Sequence, residues 1–205
     1  MIRKILPFLC FVIITGIFFW QFLFKGLLPI PADTIVGLYN PYRDLFAQEY
    51  PNGIPFKNFL ITDPVRQQYP WRNLSVSGIK SKELPIWNPY AFSGTPNLAN
   101  SQSAPFYPLN ILFIVFPFEI VWSFLILLEP LLGGIFMFWY LRNLRLDNFS
   151  SFFGGIIFSF SGFFTTWLEW GTVLHAALWL PLILLSIDKI LININKNKKL
   201  LMWSL

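Results

Sequence analysis

The chain has 205 residues, of which 55% are hydrophobic, 20% aromatic and only 12% charged, where a soluble globular domain carries about 25% charged residues. That balance excludes an ordinary soluble enzyme. The formal net charge of +5 does not mark a nucleic-acid surface, because the basic residues gather at the ends of apolar runs and not along one polar face.

The first apolar run, Ile5 to Phe24, carries no charge and as a helix would rise about 30 Å, the thickness of a hydrocarbon core. Arg3 and Lys4 precede it as they would a secretory signal. Phe22, Phe24 and Lys25 offer no small-residue cleavage site, so residues 1–25 are expected to form an uncleaved transmembrane anchor. Cys10 lies inside this run and is the one cysteine, which leaves no intrachain disulfide.

Residues 26–117 follow as a long polar loop rich in aromatic residues. Pro29, Pro31, Pro41, Pro51, Pro64, Pro70, Pro85, Pro89, Pro96, Pro105 and Pro108 limit it to short helices and turns. Tyr42–Glu49 and Trp71–Ile79 each have room for about two helical turns. The apolar stretch Leu109–Phe116, ended by Pro117, either lies in the membrane interface or extends the next span.

Residues 118–194 are predicted to form a three-helix transmembrane bundle, with spans at about 118–141, 151–167 and 172–192. Gly154, Gly155 and Gly162 in the second of these allow a neighbouring helix to approach closely. Arg142, Arg145, Lys189, Lys196, Lys198 and Lys199, with Arg3 and Lys4, mark one side as cytoplasmic. The amino terminus is then inside and the large loop extracytoplasmic; basic residues within so long a loop do not count against this. Residues 195–205 read as a cytoplasmic turn and the start of a further helix. The expectation is an all-α polytopic cell-membrane protein, with about four transmembrane helices plus the start of a fifth, forming part of a longer parent.

Long ordered loops usually carry function, and this one holds Asp33, Asp44, Glu49, Asp63 and Glu83. A partly desolvated carboxylate at the mouth of a bundle can take a proton from an incoming hydroxyl. Asp63 and Asp33 are the best placed, each followed by a basic residue, Arg66 or Arg43. Both acids equally suit helix caps or turn starts. Glu169 and His175, in the short loop after the third span, allow a metal or phosphate site, although zinc needs three or four ligands and a lone His near a membrane end equally suits a structural hydrogen bond. Glu129, followed by Pro130, falls near the middle of the second span. Charged residues there cost roughly 2.5 to 3.5 kcal/mol on insertion scales, so this acid must be neutral, paired or facing a polar cavity.

Read whole, DPVRQQYPWRNL (Asp63–Leu74) and LPIWNPYAFSGTPNLANSQSAPFYPLNILF (Leu84–Phe113), continued by SFFGGIIFSFSGFF and WLPLILLSIDKI, resemble the first outer loop and following spans of YfhO-type bacterial membrane proteins. The resemblance implies a helical bundle of the GT-C fold and transfer of a sugar from a polyprenyl-phosphate donor to an outer-face glycan acceptor of the cell envelope. It also implies that an acid of the first outer loop is the general base, a position taken by Asp63 with Asp33 as the competing choice. Arg66, Gln67, Arg72, Trp87, Asn88, Asn97 and Gln102 become candidate substrate-binding residues, the arginines suiting phosphate oxygens. A divalent metal stays open as a cofactor, membrane lipid and glycan are the expected partners, and nucleic acid is not. Activity is expected of the full-length parent and not of this segment alone. A transporter or flippase fragment, with Glu129 on the substrate path, and a non-catalytic membrane scaffold are the rival readings.

Overall fold

The computed structural model describes residues 2–53 and 60–203, with side chains for 5–53 and 60–194. In chain order the first elements are α1 (Ile2–Phe18), α2 (Trp20–Lys25), α3 (Asp33–Leu38) and α4 (Tyr42–Leu45). A π-helical turn, Pro64–Gln68, leads into α5 (Tyr69–Lys80). Two short strands, β1 (Trp87–Asn88) and β2 (Thr95–Pro96), pair antiparallel with Trp87 opposite Pro96 and Asn88 opposite Thr95. A 3-10 turn, Pro108–Ile111, precedes α6 (Leu112–Val115) and α7 (Phe118–Asn143). The chain continues through α8 (Asn148–Ser159), α9 (Gly162–Trp167), a 3-10 turn at Leu168–Trp170, α10 (Val173–Ala177) and α11 (Leu180–Trp203).

Two compact units result. One holds Met1–Leu23, Leu127–Leu168 and Val173–Leu205; the other holds Phe24–Ile126 and Glu169–Thr172. In the first, the membrane unit, small residues decide the packing. A Cβ on Gly155 of α8 would lie 2.7 Å from the carbonyl oxygen of Gly134 on α7 and 2.6 Å from the ring of Phe11 on α1, so the expected close helix approach occurs at Gly155. Gly154 instead meets the side chain of Leu141, and Gly162 has open space around it. Phe11 is fully buried and also packs on Phe152 and Phe138, at ring separations of 4.9 and 6.4 Å. The outward Ile183, Ile187, Ile190 and Ile194 of α11 leave an apolar surface, as a lipid-facing helix must.

By length and apolarity three helical stretches suffice to cross a membrane: Phe118–Asn143, Asn148–Trp170 and Val173–Ile194. The expected count of four therefore needs correction. The first run is regular only as a shorter helix to Phe18, although the Phe19 amide still bonds to the Thr15 carbonyl at 2.9 Å and the Leu23 amide to the Phe19 carbonyl at 3.1 Å.

The last two stretches are interrupted. At Ser161 the backbone turns extended and its hydroxyl accepts a bond from the Phe164 amide, which starts α9 as a new capped helix. Between α10 and α11, the Trp179 amide reaches back three residues to Ala176, as a tightened last turn does. The turn expected from residue 195 onward is helix instead, since α11 runs on to Trp203; residues 204–205 lie outside the described residues. Asp147, between α7 and α8, caps α8 by accepting from the Phe149 and Ser150 amides at 2.8 and 3.0 Å. Those bonds, with the Ser150 hydroxyl foremost, hold its carboxyl below the usual range.

Candidate functional site

The loop unit is organised around buried polar groups. Prolines break its helices, so backbone groups that a longer helix would satisfy must find side chains instead. Asn97 is fully buried; its amide donates to the Ser75 hydroxyl at 3.0 Å and the Pro85 carbonyl at 3.1 Å, while its own carbonyl accepts from Ser103 at 2.7 Å. Gln68 donates to Gln102 at 2.7 Å, tying α5's approach to the turn before Pro105. Asn88 is buried and accepts from the Tyr90 amide at 3.0 Å, shaping the turn after β1.

Arg72 is the most deeply placed cation, 2% exposed. It donates to the Gly171 carbonyl at 2.9 Å and lies 5.4 Å from the Trp122 ring centroid. Gly171 supports this contact with a backbone φ of +61°, which a side chain adopts only with strain. The short segment Glu169–Thr172 is thereby built into the loop unit. Asp33, exposed in the first turn of α3, lies close enough to Glu169 for the two carboxyls to interact electrostatically.

The remaining candidates lie at the surface of the unit. Asp63 is half-buried at the start of the π-helical turn and accepts from the Gln67 amide at 3.3 Å, without capping any backbone amide. Arg66 is exposed, its guanidinium 5.5 Å from the Tyr39 ring centroid. Trp87 is 53% exposed, and its indole lies directly against Gly94, where φ is +115° and a Cβ would come within 2.4 Å of the ring. Tyr69, at the start of α5, donates to Glu119 at 3.3 Å; burial first, then the charge and hydrogen bond of Glu119, push its phenol up.

Asp63, Arg66 and Gln67 thus share one turn of backbone. Arg72, Asn88 and Asn97 do not present themselves as free binding groups: they are buried and hold the loop's fold. Ser75, Ser103, Trp122 and Gly171 belong to the same framework and carried no warning in the sequence, apart from glycine in the Trp170-Gly171-Thr172 turn.

In the membrane unit, Glu129 of α7 is fully buried and its Oε1 lies 3.5 Å from Nε2 of His175 on α10. His175 therefore meets Glu129 and not a shared set with Glu169. Among the described residues no group of three or more His, Cys, Asp or Glu side chains is placed to hold a metal ion.

A family model described as bacterial membrane protein YfhO matches residues 101–204, from the end of the loop through the membrane-length helices. No curated protein and no solved structure matches the chain. With half of its length matched, including α7 to α11 and the buried Glu129–His175 pair, the chain belongs to the YfhO family of bacterial membrane proteins.

Proposed function

We propose that the chain is the membrane-anchored part of a GT-C type glycosyltransferase, with its large loop outside the cell membrane and a polyprenyl-phosphate sugar as donor. The observation that supports this is the single turn carrying Asp63, Arg66 and Gln67 on a loop with its own interior. Gln67 holds one oxygen of Asp63, and the exposed Arg66 has no comparable burial.

In this reading the Asp63 carboxylate takes the proton from an acceptor hydroxyl of an envelope glycan. The hydroxyl oxygen attacks the anomeric carbon, the bond from that carbon to the lipid phosphate oxygen breaks, and the configuration inverts. Arg66 meets the departing phosphate; Arg72, committed to Gly171, does not. Exposed Trp87 and Gln102 lie on the same loop and would contact sugar. Asp33, beside Glu169, is the competing base.

In cells making the full-length protein, Asp63→Asn should abolish sugar transfer while leaving membrane insertion intact. Loss in Asp33→Asn with transfer retained in Asp63→Asn would move the base to Asp33. Transfer retained in both variants would remove the enzyme reading.

The buried Glu129–His175 pair favours a second reading, a transporter or flippase, because an ionisable pair inside a span commonly marks a substrate or proton path. Glu129→Gln separates the two: a transporter loses substrate movement, whereas the transferase forms the same covalent product.

A further inference from the structure

The end of α5 and the segment before α7 enclose a groove of about 450 Å³, within the range of ligand sites, that the proposed chemistry does not use. One side is apolar and open: Leu84, Ile111 and Ile114 line it and are 63%, 64% and 46% exposed. The apolar strip continues without interruption through Val115 and Phe116 to Ile120 on α7, all exposed. Since α7 is a membrane span, this strip enters the bilayer, and the groove lies where the span begins.

The other side is polar. Asn110 lines the groove and is 6% exposed. Its amide nitrogen donates to the Ala104 carbonyl at 2.6 Å, which fixes the orientation of the group, and its carbonyl oxygen is buried with no hydrogen-bond partner among the described residues. Such an acceptor calls for a donor from a bound molecule. Lys82 and Glu83 complete this side. Among the described residues neither is in an ion pair. Their positions are set by a helix-ending turn, in which the Glu83 amide bonds to the Gly78 carbonyl at 2.9 Å and the Lys82 amide to the Ile79 carbonyl at 3.0 Å, with Lys82 at φ +61°.

We infer that this groove binds an ethanolamine phospholipid of the surrounding bilayer, its acyl chain along Leu84, Ile111 and Ile114 and its headgroup on Lys82, Glu83 and Asn110. Each feature of that headgroup has a counterpart. Lys82 meets the phosphate, Glu83 meets the ammonium, and an ammonium N–H supplies the donor for Asn110. A glycerol headgroup has no cation for Glu83; a choline headgroup has no N–H for Asn110. The tail continues along the exposed strip that leads into the membrane.

The test uses the full chain purified in mild detergent, with lipid retention measured by native mass spectrometry after adding dioleoyl phosphatidylethanolamine, phosphatidylglycerol or phosphatidylcholine. Ethanolamine lipid should be retained as a single molecule, about tenfold more tightly than the other two, and Lys82→Gln or Glu83→Gln should each erase about that factor. Ile111→Ser should weaken all three lipids alike. Equal retention of the three, preference for phosphatidylglycerol or phosphatidylcholine, or unchanged retention in both headgroup variants would overturn the assignment. Both variants change exposed side chains, and an unaltered proteolysis pattern of the loop confirms that they fold.

Discussion

Replacing Gly155 by alanine should loosen the membrane unit, and the size of the effect follows from the contacts. The added methyl would stand 2.7 Å from the Gly134 carbonyl oxygen and 2.6 Å from Phe11, well inside ordinary contact distance. Phe11 has little freedom to turn away, being fully buried against Phe152 and Phe138. Gly134 offers only backbone, so α7 and α8 must separate by a few tenths of an ångström. Overpacking of this kind costs about 1–3 kcal/mol, against which alanine's better helix propensity returns about 1 kcal/mol. The net loss is about 1–2 kcal/mol, a factor of roughly 5 to 30 in the folded-to-unfolded ratio. Titration with a denaturing detergent in mixed micelles, followed by circular dichroism, measures it. Gly162→Ala is the matched control, since nothing lies within 4 Å of the added atom, and it should be neutral or stabilising by up to about 1 kcal/mol. A Gly155→Ala chain as stable as the parent, or more stable than Gly162→Ala, would refute the reasoning.

The loop unit yields three further expectations. Gly94→Ala places a methyl within 2.4 Å of the Trp87 ring and strains a φ of +115°; it should cost the loop about 1–3 kcal/mol, seen as faster cleavage in limited proteolysis and a shift in tryptophan emission. Arg72→Met leaves the Gly171 carbonyl without its charged donor and should destabilise the unit by about 1.5–3 kcal/mol, whereas Arg66→Met loses only an exposed contact with Tyr39 worth about 0.5–1 kcal/mol; paired proteolysis rates rank them. Tyr69 has a folded-state pKa above its ordinary 10.0, so the folded loop binds its proton more tightly than the unfolded chain does. Stability from this source is complete below pH 10 and falls as the pH rises through the folded value. Tyr69→Phe should remove that alkaline loss in a pH series of thermal melts, and Glu119→Gln should reduce it.

Membrane class, the position of α7 and the small-residue contact at Gly155 were legible because each rests on local composition: apolar length, or glycine on a helix. The interruptions in the last two membrane-length stretches were not. Ser161 followed by Gly162 is a capping signal, but inside an apolar run it competes with a hydrophobic period that reads straight through it. Residues 195–203 misled in the opposite direction, since alternating Lys and Asn suit a turn yet do not forbid a helix that α11 has already nucleated.

For the site, the acidic candidates and their neighbouring bases could be picked out, but whether a polar side chain in a long loop points in or out could not. Arg72 finds its acceptor 99 residues away at Gly171, and Asn97 finds Ser75 at a separation of 22. Such pairings depend on the folded course of the chain, and nothing within a window around Arg72 distinguishes it from Arg66. Glu129 was visible as costly in lipid; its neighbour His175 was not, because the two stand on different helices.

That pairing bears on how the protein is made. Residues leave the ribosome in order, so α7 reaches the translocation channel while His175 is still untranslated. The acid must wait, sheltered at the channel's lateral gate or against another polar group, until α10 emerges to meet it. Release of α7 into the bilayer is thereby coupled to synthesis of a segment far downstream, and nascent chains stalled before residue 175 should remain crosslinkable to the channel where longer ones do not.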